Sequence, residues 1–280
     1  MQRFNSFLHL FDKDQVQEHL LQGYNLKFIS EKTGIPHRRL GEMVSFYRLE
    51  KSSVRSIKRK NHNYFNNIDT ETKAYILGFI LADGCVNIED KKKNGVVYGV
   101  GKRLSFCNSV DDIEIINTIQ RELSPDSPVK LWQNNKGAVN RKQQCMLRIS
   151  SSQIIDDLIQ LGIKPQKTKD VDFTFDFTKI PENLIRHFVR GFFDGDGHLS
   201  KSKAFQLVGT SKPFLLQLQS LFSFLFPTIK STIRQIQGKN MIWYVLTLNC
   251  GHGKHNLISE YFYKDSSIYL QRKHKYFMLS

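Results

Sequence analysis

Long apolar runs are missing from this chain. No stretch approaches the roughly 18 consecutive apolar residues of a membrane-crossing helix, so no membrane partner is expected. The opening residues, MQRFNSFLHLFDKDQ, lack the apolar core of a signal peptide, which argues against secretion. Cysteine is scarce: Cys85, Cys107, Cys145 and Cys250 lie far apart without a CxxC pair. The nine histidines form no HxxxH pattern either. Neither a disulfide framework nor a zinc centre is therefore expected, and the thiols read as reduced and mostly buried. The compartment implied is the cytoplasm or an organellar matrix. Acid is also in short supply, with 26 Asp and Glu against 41 Lys and Arg, a formal charge of +15 and a pI near 9.6. That imbalance points to a polyanionic partner. With 280 residues, 40% apolar and 12% aromatic, the chain can bury a core as two domains, or as one large domain with an appendage.

What is present centres on Leu184–Ser200, LIRHFVRGFFDGDGHLS. Leu184, Phe188, Val189, Phe192 and Phe193 recur at helical spacing. Gly191 and Gly195 fall on one face, and the run stops at Asp196–Gly197. A near copy stands upstream at Tyr75–Cys85, YILGFILADGC, with Gly78 and Ala82 in the small positions and Asp83–Gly84 at the stop. Glycine inside a helix costs roughly 1 kcal/mol against alanine, so paired small residues need a reason. Mutual packing of the two helices through Gly78, Ala82, Gly191 and Gly195 is the economical one. It would bring Asp83 and Asp196 together at one end, where two carboxylates can hold a divalent metal.

The segments ILGFILADG (Ile76–Gly84) and VRGFFDGDG (Val189–Gly197) resemble the paired nine-residue motifs of the LAGLIDADG homing endonucleases, over roughly residues 65–280. In that family the eighth motif residue is the metal-binding acid, which maps onto Asp83 and Asp196. The sixth is often acidic but not catalytic, and here it is Leu81 in one copy and Asp194 in the other. The resemblance implies a single-chain, site-specific DNA endonuclease. It would make a staggered double-strand break at a long recognition site.

Residues 1–50 read as a separate helical module. Helices are expected from Val16, Leu20 and Leu21, ending near Gly23, from Leu26, Phe28 and Ile29, and from Pro36 onward, with Leu40, Val44 and Tyr47 inward. This resembles a helix-turn-helix whose third helix would offer His37, Arg38, Arg39 and Glu42 to a major groove. Residues 51–67 read as a basic linker whose Lys58, Arg59 and Lys60 would lie along phosphates.

Residues 68–280 read as an α+β domain of two pseudo-symmetric αββαββα repeats, about 68–165 and 180–280, whose sheets together form a saddle. In the first repeat the motif helix spans Ile68–Asp83, capped at Asp69 or Thr70. Short strands Cys85–Ile88 and Leu104–Asn108 follow, joined by a loop that holds Lys91, Lys92, Lys93, Lys102 and Arg103. Then come a helix at Asp111–Leu123, a hairpin of Val129–Gln133 and Gln144–Ile149 turning at Asn134–Gly137, and a helix at Ser151–Leu161. The second repeat runs as a helix from Pro181, strands Gly197–Lys201 and Phe205–Thr210, a helix Lys212–Leu225, strands Thr228–Gln237 and Met241–Leu248, and a helix Lys254–Tyr263. Arg103, Arg148 and Arg234 are candidates for the DNA face, together with lysines such as Lys130 and Lys230 and with Arg141, Lys142, Lys201, Lys203, Gln235 and Lys239.

After each closing helix comes a lysine-bearing segment, LGIKPQKTKD (Leu161–Asp170) and IYLQRKHKYF (Ile268–Phe277). The family places a lysine from each half near the scissile phosphate, where its charge assists the transition state. Lys167 and Lys273 are the best matches, and the alternative is that they merely contact phosphates. The resemblance thus makes Asp83, Asp196, Lys167 and Lys273 catalytic, with the carbonyls of Ala82 and Gly195 as further metal ligands. Mg²⁺ is the expected ion because the ligands are hard oxygens. A monomer acting on double-stranded DNA is the reading favoured. A non-cleaving regulator or an intron RNA maturase on the same fold are the alternatives. An intein would begin with Cys or Ser and end in His–Asn, whereas this chain runs from Met1 to FMLS.

Overall fold

The structure is a computed structural model that describes residues 11–22, 24–50, 60–132, 142–200, 204–239 and 241–278. Two compact units divide at Arg59/Lys60.

In the first unit α1 (Lys13–Leu21) is capped by Asp12, whose carboxylate accepts from the amides of Asp14 and Gln15. Asn25 caps α2 (Leu26–Thr33), and Gly34 ends it with φ 71°, a left-handed stop that glycine adopts without strain. α3 (His37–Phe46) follows directly. Val16, Leu20, Ile29, Ile35, Leu40 and Met43 form a small core, with Val44 and Tyr47 packed at its margin. Met43 thus takes the central inward place expected for Val44. Arg38 and Arg39 both pair with Glu42, at 3.2 and 2.7 Å, on one exposed side of α3.

The second unit is organised around α4 (Glu71–Asp83) and α7 (Glu182–Asp196). α4 begins where Thr70 caps the amide of Lys73, three residues later than Ile68, because Thr70 is extended and its side chain offers the first acceptor. Every residue from Ala74 to Leu81 is buried, so α4 has no polar face to reveal a helical period. The two helices touch through their small residues. A Cβ on Gly78 would lie 1.9 Å from the carbonyl oxygen of Phe188, and one on Gly191 would lie 2.0 Å from that of Tyr75. Backbone meets backbone there, and no side chain fits between.

Each motif helix runs into an antiparallel sheet. The first contains β1 (Cys85–Lys93), β2 (Val96–Ser109), β3 (Lys130–Trp132) and β4 (Gln144–Ser150), in the order β1-β2-β4-β3. The second contains β5 (Gly197–Leu199), β6 (Phe205–Gly209), β7 (Lys230–Gln237) and β8 (Ile242–Asn249), in the equivalent order β5-β6-β8-β7. Behind the sheets pack α5 (Ile113–Leu123), α6 (Ser152–Gln160), α8 (Lys212–Leu225) and α9 (Gly251–Tyr263). Ser151 and Ser211 cap α6 and α8.

Two expectations change. The loop expected between the first two strands is a continuous ribbon, in which Lys91, Lys92, Lys93, Lys102 and Arg103 are strand residues. It turns at Asn94 and Gly95 with φ of 51° and 81°, the two left-handed residues of a tight hairpin. Residues 60–67 belong to the domain rather than to a linker, since Tyr64, Phe65 and Ile68 are buried in its core. The final lysine-bearing segment has no regular structure through Leu270 and then forms a helix, α10 (Gln271–Met278). The turn at Asn134–Gly137 and residues Lys58, Arg59, Arg141, Lys201 and Lys203 lie outside the described residues. Among the described residues no helix is long and apolar enough to cross a membrane.

Candidate active centre

Asp83 and Asp196 are the last residues of α4 and α7, so the glycine contact that joins the helices also sets the two acids side by side. A Cβ on Gly195 would lie 2.3 Å from the Cβ of Ala82 and 3.5 Å from Oδ2 of Asp83. The Asp83 carboxylate therefore rests against the last turn of α7. Burial pushes the Asp83 carboxyl above the usual carboxylate range, against the hydrogen bond from Asn108 and the charges of Lys167 and Lys273. Burial, and then the neighbouring charge of Asp83, push Asp196 up to about 6.

Each motif helix ends on an ammonium. Lys167, in the short 3-10 turn Lys167–Lys169, donates to the carbonyls of Ile80 (2.7 Å), Leu81 and Ala82 (2.6 Å). Lys273, in the first turn of α10, donates to those of Phe193 (2.6 Å), Gly195 (3.3 Å) and Gly197. Ile80 and Phe193 both stand three residues before their acid, and Ala82 and Gly195 one before, so the two halves share two of their three carbonyls, while the third is Leu81 in one and Gly197 in the other. A lysine placed there satisfies the orphan carbonyls of a helix end and offsets its negative pole. Burial lowers both amines to about 8, against attraction from nearby acids. All three N–H groups of each ammonium are committed to carbonyls, so toward a bound anion each lysine presents charge rather than a free donor. The carbonyls of Ala82 and Gly195, expected as metal ligands, already accept these bonds. A carbonyl oxygen carries two lone pairs, so each keeps an acceptor site beside its lysine bond.

Sequence reasoning missed Asn108. Its Nδ2 donates to Oδ2 of Asp83 at 2.7 Å, and its own Oδ1 is buried with no partner among the described residues. The available signal was a polar residue on the inward, otherwise apolar face of β2, after Leu104 and Phe106. The halves differ here. Ser105 pairs with Cys85 and Gln206 with His198, each two residues past its acid, so the position equivalent to Asn108 is Gly209. Asp196 has no such amide beside it. The space is instead a cavity bounded by Lys167, Asp196, Gly209, Thr210 and Trp243.

Arg148 and Arg234 are exposed on β4 and β7, and Arg103 on β2 pairs with Glu89 at 3.3 Å. Lys60 donates to the carbonyl of Ser150.

Two αββαββα halves that share one pair of acids at a glycine-packed helix interface define the class of this domain. Residues 183–255 match the family model of the LAGLIDADG-like domain. Similar solved structures include I-DmoI in complex with DNA and Mn, at 15% identity over 74% of this chain and 100% of that one, with a TM-score of 0.45. Another is I-SmaMI bound to an uncleaved DNA target with calcium ions, at 14% identity over 69% of this chain and 85% of that one, with a TM-score of 0.46. No curated protein matches the sequence.

Proposed function

We propose that the protein is a site-specific DNA endonuclease that hydrolyses one phosphodiester in each strand with the help of divalent metal. The observation that carries this reading is the juxtaposition of Asp83 and Asp196, each beside a buried lysine at a helix end. Among the described residues no third His, Cys, Asp or Glu joins them. Two carboxylates suit Mg²⁺, which keeps several waters and takes its remaining ligands from substrate phosphate. The raised carboxyl of Asp196 fits the same reading, since a cation between the acids would relieve their repulsion. When bound, the ion would supply Lewis-acid activation of the phosphate and of an attacking water.

The chain's own residues do the rest. Asn108 holds the Asp83 carboxylate in one orientation by donating to Oδ2. Lys167 and Lys273 place positive charge beside the phosphates, where negative charge grows in the transition state. The basic strands and residues 51–60 supply non-specific attraction for the backbone, while the module at residues 11–50 lengthens the contact with double-stranded DNA. The protein acts as a monomer, because both halves of the site lie in one chain.

The test is incubation with a randomised duplex library and Mg²⁺, followed by sequencing of the cut ends, with EDTA as control. One recurrent sequence cut in both strands is expected. Lys167→Met and Lys273→Met should each slow cutting by about 10²-fold or more while changing target affinity only slightly. Binding without any cutting in Mg²⁺ or Mn²⁺ would instead favour a non-cleaving regulator. Selective retention of structured RNA over duplex would favour a maturase.

A further inference from the structure

The sixth residue of the second motif, Asp194, is wholly buried, although no step above uses it. Its carboxylate accepts from three donors: Tyr75 Oη at 2.8 Å, Tyr263 Oη at 2.7 Å and the backbone amide of Leu270 at 2.7 Å. Tyr75 belongs to α4 and Tyr263 to α9, so one carboxylate ties both halves to the C-terminal segment.

That segment is fastened at further backbone points by charged groups of the same helices. Arg190 donates to the carbonyls of Phe262 (2.7 Å) and Ile268 (3.1 Å) and also to Glu71 (2.6 Å). Glu71 in turn accepts from the amide of Ser267 at 2.8 Å. Three residues past the Asp194 contact comes Lys273, whose amide bonds the carbonyl of Leu270 at 3.0 Å. The first half has nothing comparable on its motif helix: the positions equivalent to Arg190 and Asp194 are Leu77 and Leu81. A buried carboxylate costs several kcal/mol unless its lone pairs are filled, so its presence in one half alone calls for a role specific to that half.

We propose that Asp194 is a positioning residue for Lys273. By holding the amide of Leu270 it fixes the start of α10, and so the ammonium that this helix returns to the end of α7. Arg272, bound to Asp112 at 2.7 and 3.1 Å, is a second anchor of the same turn, so loss of Asp194 loosens Lys273 without releasing it. The strand cut next to Lys273 depends on Asp194, and the cut next to Lys167 does not. That strand assignment rests on the endonuclease reading above.

The experiment has two arms, each run on the full chain with Asp194→Asn and Asp194→Leu. The first needs no DNA: lysines are reductively methylated with ¹³C-formaldehyde and quantified by peptide mass spectrometry. Lys273 should react about tenfold faster in the variants, with Lys167 within about twofold of the parent. General destabilisation would expose both lysines alike, so parallel change, or no change, overturns the proposal. The second arm uses a supercoiled plasmid bearing a site that the parent selects from a randomised library. Asp194→Asn should slow the cut in one strand about tenfold and accumulate a nick in the other, and Lys273→Met should slow the same strand. Equal slowing of both strands, or opposite strands for the two variants, also overturns it. Should the parent cut no duplex, the endonuclease reading fails and the methylation arm alone decides the role of Asp194. Should both Asp194 variants fail to fold, Tyr263→Phe removes one donor with little change of shape and should give an intermediate, Lys273-selective exposure.

Discussion

Asp196→Asn separates the electrostatics of the paired acids from their packing, because the amide keeps nearly the same shape without the charge. In the folded chain the Asp196 carboxyl titrates near 6 rather than 3.8, chiefly because it is buried and then because Asp83 is beside it. A carboxyl raised in this way makes its ionised form a liability. The contribution of Asp196 to stability therefore falls as pH climbs from about 4 to about 6 and is constant beyond, the reverse of a salt-bridged acid. With each pKa unit equivalent to about 1.4 kcal/mol, the liability at pH 7 is on the order of 3 kcal/mol. In EDTA the variant should match the parent near pH 4 and exceed it at pH 7 by about 1–3 kcal/mol. At about 2–4 °C per kcal/mol for a chain of this size, the melting shift is several degrees upward. If the two acids hold Mg²⁺ as proposed, the saturating ion should invert the order, because only the parent would keep both ligands and gain from binding. Urea unfolding at pH 4.5, 6 and 7.5, with and without the ion, measures all of this. A variant less stable than the parent at pH 7 in EDTA would refute the reasoning, since the carboxylate would then be making structural hydrogen bonds.

Gly191→Ala should destabilise the second unit by about 1–3 kcal/mol or more, because its Cβ meets the Tyr75 carbonyl at 2.0 Å, and chemical denaturation would read the loss. Gly209→Ala is the control: its nearest neighbour is a Leu215 methyl at 3.8 Å, and it should change stability by less than about 0.5 kcal/mol. Replacing Lys58 and Arg59 by Ala should make the log affinity against log salt line shallower by about 2 and weaken all duplexes alike. A loss confined to one base position, seen in a binding titration across point-substituted duplexes, would show that they read bases instead. Lys60 is left out of that pair because it already donates to the Ser150 carbonyl.

The parts of this fold that were legible in the sequence are those in which local chemistry and burial agree. Thr70, Ser151 and Ser211 sit before apolar runs and cap the helices that follow. The small positions of the two motifs identified the helix contact because nothing else accounts for glycine inside a buried helix. Legibility fails where burial is one-sided or absent. The outer part of the β1–β2 ribbon, KKKNGVVYGVG, projects past the core, so Val96, Val97, Tyr98 and Val100 are exposed and no apolar alternation survives. Only its Asn–Gly turn betrays it. The sequence NHNYFNN hides Tyr64 and Phe65, two buried aromatics among polar neighbours that give no period. α10 is short and polar, and it is held by Asp194 and Asp112, which are 76 and 160 residues away from their partners in it or just before it.

The same limit explains what was seen of the site. Asp83 and Asp196 stood out because they punctuate repeated helices, a pattern that one reading along the chain can detect. Asn108 and Asp194 matter only through partners brought to them by the fold, and Asn108 has a meaning only once strand register sets it against Gly209. A duplicated motif advertises what the two halves share: the glycine contact and the terminal acid. Their differences, an amide against a glycine at one acid and a leucine against an aspartate at the sixth position, carry no repeat and so no signal. Yet the shared parts can only build two similar sites. On the endonuclease reading, a preference for one strand would come from unshared residues such as Asn108, one hydrogen bond from Asp83, and Asp194, which holds the amide of Leu270 three residues before Lys273.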